Sequence, residues 1–205
     1  MENGNLDSVR FLIERGADQI ARDSNGRTPL HVAARWGKIE VTRLLTENGA
    51  DVTARDKLGW TPLHLAVQRE GVDFATLIPE HGADITARDE HESTPLRGAV
   101  SGGRVELARL LIDHGGDVSA QDNDGSTPLH VSSREGRSDL AWLLVEYGAD
   151  MTVMDRHGHT PLHVASQMGE NDLAQFLIEH GASSKHGLRR RIGHRLQKMW
   201  QSFDF

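Results

Sequence analysis

Histidine is the residue type whose spacing in this sequence first suggests chemistry. Four histidines, at His31, His64, His130 and His163, occupy the same short motif and are separated by 33 residues or by twice that number. Imidazole nitrogens bind zinc, and four such ligands would complete a tetrahedral site. One histidine per repeated segment, however, places the rings about 10 Å apart when neighbouring helices stack, which is too far to share an ion. We therefore predict a structural role for them, since buried polar groups find hydrogen-bond partners.

The pair His157 and His159 could supply two nitrogens to a metal, but the sequence shows no clear third ligand. We predict no metal site and no cofactor. The sequence also contains no cysteine, no H-E-x-x-H, no G-x-S-x-G and no glycine loop that could hold a phosphate. Its acidic and histidine residues follow the repeat period, which a structural role explains. We predict that the protein is not an enzyme.

The element that must position these residues is a repeat of 33 residues. Its motif Thr-Pro-Leu-His-x-Ala first occurs at 28–33. The threonine, proline and leucine return four more times, at Thr61, Thr94, Thr127 and Thr160. Threonine is a good helix N-cap, and proline suits the first helical position. An apolar stripe at 39–45 predicts a second helix, which the glycine at 49 ends.

The motif and its period resemble the ankyrin repeat. The resemblance implies an all-α repeat solenoid of stacked helix-turn-helix units with extended arms that end in hairpin tips, and motif histidines bonded to neighbouring backbone. We place the repeat domain at residues 1–187, with a partial unit at 1–22 and full units at 23–55, 56–88, 89–121, 122–154 and 155–187. The partial unit has only a second helix. It is either a terminal cap or part of a longer array.

The resemblance also implies a concave side, formed by the arm tips and the first helices, that binds another protein. The predicted partner-binding residues at these positions are Trp36, Leu58, Trp60, Arg69, Arg35, Arg27, His157, His159 and Met168. Trp36, Leu58 and Trp60 lie in adjacent units at positions that the core does not need, and tryptophan beside arginine is typical of an interface hot spot. The alternative is that the two tryptophans cover a local hydrophobic gap.

The middle of the array departs most from the repeat pattern. Glu70 replaces a glycine between helices, and Pro79 falls inside a predicted second helix. Arg97 replaces the motif histidine, and Gly98 stands inside a first helix, where glycine costs about 1 kcal/mol against alanine. These changes indicate either drift in a tolerant array or a soft segment around residues 70–103 that flexes or shapes a site.

The net charge of −7 is divided unevenly along the chain. Residues 185–205 contain six lysines and arginines against one carboxylate, so the repeats are more acidic than the whole chain. An acidic solenoid argues against nucleic acid as a partner. Residues 188–205 are predicted to form a basic amphipathic C-terminal helix. This helix either caps the last repeat or, through residues 188–203, binds a membrane surface or a calmodulin-like partner.

Two functions remain open at this level. The first is a protein-protein interaction scaffold that binds its partner on the concave side, and the alternative is an adaptor that binds through the basic tail. The run Arg189–Arg191 is also a weak nuclear-import signal. No apolar run reaches the roughly 20 residues that a membrane span needs, and the first residues do not form a signal peptide. We therefore predict a cytoplasmic or nuclear monomer.

Overall fold

The computed structural model describes residues 3–68 and 82–181 of the chain. The predictions that concern Arg69, Glu70, Pro79 and the C-terminal helix at 188–205 lie outside these residues. The described part contains no strand. Its helices are α1 (Asn3–Glu14), α2 (Pro29–Arg35), α3 (Ile39–Glu47), α4 (Pro62–Ala66), α5 (Pro95–Ser101), α6 (Val105–Asp113), α7 (Pro128–Arg134), α8 (Ser138–Glu146), α9 (Pro161–Met168) and α10 (Asn171–Glu179).

Each first helix begins in the way that the motif predicts. The threonine before α2, Thr28, has extended backbone at φ −81° and ψ 167°, and the proline that follows it is the first helical residue. The same arrangement starts α4, α5, α7 and α9. The proline loses nothing at this position, because the first N–H groups of a helix have no partner inside it.

The units stack so that equivalent helices lie side by side. Each described first helix contacts the first helix of the next unit, and α6, α8 and α10 form a second row behind them. The motif leucines Leu63, Leu96 and Leu129 are fully buried between these rows. One apolar cluster extends through the units from Ala34 to Leu177, and a second cluster around Leu30 and Leu45 lies in the first full unit. The prediction of an all-α repeat solenoid is confirmed.

The first end of the array exposes apolar side chains. Leu12 of α1 is 54% exposed, whereas the equivalent side chains Leu45, Leu111, Leu144 and Leu177 are at most 3% exposed. Each of the later leucines lies on a second helix that contacts the first helix of its own unit. Among the described residues α1 has no such neighbour, and it contacts α3 alone of the second helices.

Two departures from the repeat leave the helices intact. Gly98 lies within α5, which runs without a break from Pro95 to Ser101. Glu92 occupies the arm-tip position where other units have glycine, and its φ of 60° is unusual for a residue with a side chain. None of the described helices is long and apolar enough to span a membrane.

Candidate functional site

A groove of about 710 Å³ lies over the middle of the array, where three units meet. Unit 56–88 contributes Trp60 and the inner face of α4, unit 89–121 contributes its arm and α5, and unit 122–154 contributes its arm tip. Apart from Arg104, which precedes α6, the lining residues lie in the arms or in and directly after the first helices. The groove therefore belongs to the side of the solenoid that the arms and first helices form.

Small residues form the floor of this groove. Gly98, Ser101 and Gly102 all line it. At the position of Ser101 the other units have long polar side chains, namely Arg35, Gln68, Arg134 and Gln167. At the position of Gly102 the other described units have Trp36, Glu135 and Met168. Above Gly98, Ser101 and Gly102 the groove therefore has a hollow, at the place where long side chains project in the other units.

Arg104 explains why glycine stands at position 102. Its Nη1 donates to the carbonyl of Val67 at 2.7 Å, and its Nη2 donates to the carbonyl of Gln68 at 2.8 Å. These carbonyls end α4, where a cation is favourable. A Cβ atom at Gly102 would come within 2.5 Å of the Arg104 Nη1. Gly102 therefore lets the guanidinium cross the surface of α5 and tie two units together.

Each arm tip folds around one aspartate. In the groove, Oδ1 of Asp89 accepts the backbone N–H groups of His91 and Ser93 at 2.8 and 2.9 Å. Asp23, Asp56, Asp122 and Asp155 organise their own tips in the same way. A short side chain that mimics a turn in this manner fixes the arm without a strand partner.

In Asp56, Asp89 and Asp122 the second carboxylate oxygen contacts the preceding unit, and its partner differs. Arg27 Nε lies 3.4 Å from Oδ2 of Asp56, and Arg97 Nε lies 3.0 Å from Oδ2 of Asp122. Arg97 thus replaces the motif histidine with a different bond to the next unit. The replacement of histidine by arginine is compensated locally, because the carboxylate of Asp122, whose side chain is 7% exposed, gains a cation.

Asp89 has an indole instead of a guanidinium at its second carboxylate oxygen. Its Oδ2 accepts the indole Nε1–H of Trp60 at 2.9 Å, and Trp60 occupies in its unit the position of Arg27. Asp89 is 7% exposed and has no ion pair within the part of the chain that the structure describes. In the described part of the chain, this carboxylate accepts its hydrogen bonds from neutral donors.

The motif histidines connect neighbouring units. Nδ1 of His31 accepts the backbone N–H of Thr28 at 3.1 Å, so the ring proton is on Nε2, which donates to the carbonyl of Trp60 at 3.0 Å. His64 and His130 repeat both bonds. Burial lowers the pKa of all three histidines. The predicted structural role is confirmed for these residues.

The structure places some of the predicted partner-binding residues in or near the groove. Trp60 lines it, whereas Trp36 and Leu58 do not, although they are 55% and 42% exposed. The guanidinium of Arg35 lies 6.0 Å from the Trp36 ring. Arg27 forms an ion pair with Asp56 of the next unit, which gives it a structural role.

The remaining predicted residues lie in the last unit, and Arg69 falls outside the described residues. The rings of His157 and His159 are 6.0 Å apart, and Met168 is 52% exposed. Within residues 3–68 and 82–181 no group of three or more acidic or histidine residues could hold a metal ion. A partner-binding role for these residues stays a prediction.

Sequence reasoning missed Asp89 and Arg104 as groove residues. Asp89 carries a usable signal, because the Trp60–Asp89 pair has the 29-residue spacing of Arg27 and Asp56. Arg104 carries none, because its bonds to the end of α4 have no counterpart in the repeat motif.

Stacked pairs of short helices, joined by arms and carrying a groove on the arm side, define a helical repeat protein. A family model of ankyrin repeats, which covers three copies, matches residues 1–89, 87–155 and 124–186. The chain belongs to the ankyrin repeat family. Ankyrin repeats generally mediate protein-protein interaction, and proteins of this family are typically non-catalytic. A comparison with curated proteins gives no match.

Proposed function

We propose that this protein is a non-catalytic scaffold that binds a protein partner on its concave side, through the arm tips and first helices. The groove over α5 is the observation that carries this proposal. It is lined by three successive units, so a bound segment contacts side chains that only the assembled array brings together.

Exposed apolar side chains on the same kinds of position support the proposal. Leu58 is at an arm tip, and Met168 ends the first helix α9, yet both are largely exposed. Apolar side chains that stay exposed at partner-facing positions gain stabilisation when a partner covers them. Binding through several units also explains how a surface with few apolar residues can be selective.

The test is photo-cross-linking with the full chain, which maps the contacting side without removing any bond. A photoreactive amino acid replaces Leu58 or Met168 on the arm and first-helix side. Ile178 of α10, which is 40% exposed on a second helix, is the matched control position. Each protein is checked by circular dichroism before exposure to a cell extract.

We expect the same protein to be cross-linked from positions 58 and 168 and not from position 178. Equal cross-linking from position 178 would contradict binding on the concave side. The chain without residues 188–205 separates the alternative function, because an adaptor that binds through the basic tail loses its partner on this deletion, whereas a scaffold that binds through its concave side keeps it.

A further inference from the structure

We propose that the groove over α5 binds an arginine side chain of the protein partner, seated between Trp60 and Asp89. This inference rests on the proposed function, since the arginine comes from a segment bound on the concave side. It names the chemistry of one anchoring residue in that segment.

Asp89 is the carboxylate that we expect to bind the guanidinium group. Asp56 and Asp122 each have a guanidinium at their Oδ2, at 3.4 and 3.0 Å, whereas Asp89 has the neutral indole N–H of Trp60. A carboxylate has about four acceptor positions, and the bonds described for Asp89 use three of them. The described residues therefore leave one acceptor position of this carboxylate for a cationic ligand.

The cations of the groove do not cancel this charge by direct contact. Arg97 binds Asp122 through Nε, and Arg104 directs Nη1 and Nη2 to the carbonyls that end α4. The third carboxylate in the lining, Asp124, is paired with Arg156 at 2.7 Å. Each of these ionic groups already has a partner, so Asp89 is the carboxylate of the groove that has no counter-ion among residues 3–68 and 82–181.

Trp60 is the aromatic side chain on which we expect the guanidinium to stack. The hydrogen bond from its Nε1 to Asp89 holds one edge of the indole at the carboxylate, while the side chain also lines the groove. A guanidinium stacks well on an indole face and donates at the same time to a carboxylate in the plane of its fork. Lysine has no planar group to stack, so arginine fits this pair of residues better.

The hollow over α5 provides space for an arginine side chain of the partner. At the position of Ser101 the two neighbouring units carry the longer side chains of Gln68 and Arg134. The short side chain of Ser101 leaves this space open beside Asp89. A partner side chain of arginine length can therefore enter from the solvent side without moving α5.

The binding test uses small probes, so that no partner has to be identified. N-acetyl-arginine-N-methylamide is titrated into the full chain and followed by ¹⁵N–¹H NMR, with its neutral isostere, the citrulline analogue, and the lysine analogue in parallel. We expect the Trp60 indole N–H and the amides of residues 89–93 to shift, with a dissociation constant on the order of 1–10 mM. The citrulline analogue should bind at least about tenfold more weakly.

A matched pair of variants at one exposed position tests the hollow. Ser101→Gln inserts the side chain that two other units carry there, so it should leave the fold intact and abolish the shifts. Ser101→Ala keeps the hollow open and should bind the arginine probe as the parent does. Asp89→Asn removes the charge and should erase the preference for arginine over citrulline, with folding checked by circular dichroism.

Three outcomes would overturn the inference: equal binding of arginine and citrulline analogues, equal or tighter binding of the lysine analogue, or unchanged shifts in Ser101→Gln. The absence of any shift at about 50 mM probe, well above the expected dissociation constant, would overturn it as well. None of these results affects the cross-linking from positions 58 and 168. The two experiments therefore show separately whether the partner uses this side and whether it brings an arginine to it.

Discussion

Lowering the pH from 7.5 to 5.5 should destabilise the array through its buried histidines. His31, His64 and His130 are at most 6% exposed, and each accepts a backbone N–H at Nδ1 and donates from Nε2. Protonation of Nδ1 would break the first bond and place a charge in the core. Burial lowers the pKa of these histidines in the folded state, whereas in the unfolded chain it is about 6.5.

The sign and size of the effect follow from proton linkage. Above pH 6.5 both states hold these histidines neutral, and the full stability is present. As the pH falls below 6.5, the unfolded chain binds protons that the folded chain resists, so the free energy of unfolding decreases. At pH 5.5 each histidine that stays neutral in the fold removes about 1.4 kcal/mol, and three remove at most about 4 kcal/mol.

Carboxylates contribute little in this window. The side chain and backbone N–H of Thr152 lower the pKa of Asp150, so this group stays ionised in the fold through pH 5.5. Its stabilisation is lost only in more acidic solution. The interval from pH 7.5 to 5.5 therefore isolates the histidines.

Urea unfolding followed by circular dichroism at three pH values measures the effect. His64→Gln keeps an acceptor for the N-cap amide, as in a capping box, but does not titrate, so it should remove about a third of the pH dependence. His91→Gln makes the same substitution at a side chain that is 74% exposed, and it controls for effects of the substitution itself. A free energy of unfolding that is constant within about 0.5 kcal/mol from pH 7.5 to 5.5 would refute the reasoning.

Three stability predictions follow from other features, each measured by the urea midpoint. Arg97→Met leaves Asp122 buried without its cation and should cost about 2 kcal/mol, whereas no loss would show that the pair is not stabilising. Glu92→Gly should stabilise the fold by about 0.5–1 kcal/mol, because glycine adopts the positive φ at this position without strain. A loss of stability would instead mean that the Glu92 side chain supports the arm. Leu111→Ala should lower the free energy of unfolding by about 2–5 kcal/mol and Leu12→Ala by less than about 1 kcal/mol, because only Leu111 is fully buried. Equal losses in the two variants would contradict this explanation.

The fold was predictable because residues close together in the motif determine where each first helix begins and which side chain it buries. Thr28 and Pro29 start a helix wherever they occur, and the leucine that follows faces the core in every described unit. The spacing of His31 and its repeats predicted a structural role, and the hydrogen bonds of His31, His64 and His130 confirm it. These features depend on residues close in sequence, which a single repeat already contains.

The shape of the groove was not predictable in the same way. Gly98 and Arg97 were visible as departures, but their outcome depends on side chains from the neighbouring units. Gly102 is explained only by the guanidinium of Arg104, which reaches a helix end 36 and 37 residues earlier in the chain. A bond that occurs in one unit and breaks the repeat pattern leaves no periodic signal in the sequence.

The bonds between units have a consequence for how such a gene can change. His31 reaches a carbonyl 29 residues ahead, and Arg22 and Arg88 each reach one 33 residues ahead. Recombination that inserts or removes 33 codons in frame therefore leaves donors of this kind with a backbone carbonyl at the same chain distance. Loss of residues 122–154, for example, would bring Asp155 to the chain distance from Arg97 that Asp122 has now. The number of units can thus change while the bonds that follow the 33-residue period are kept.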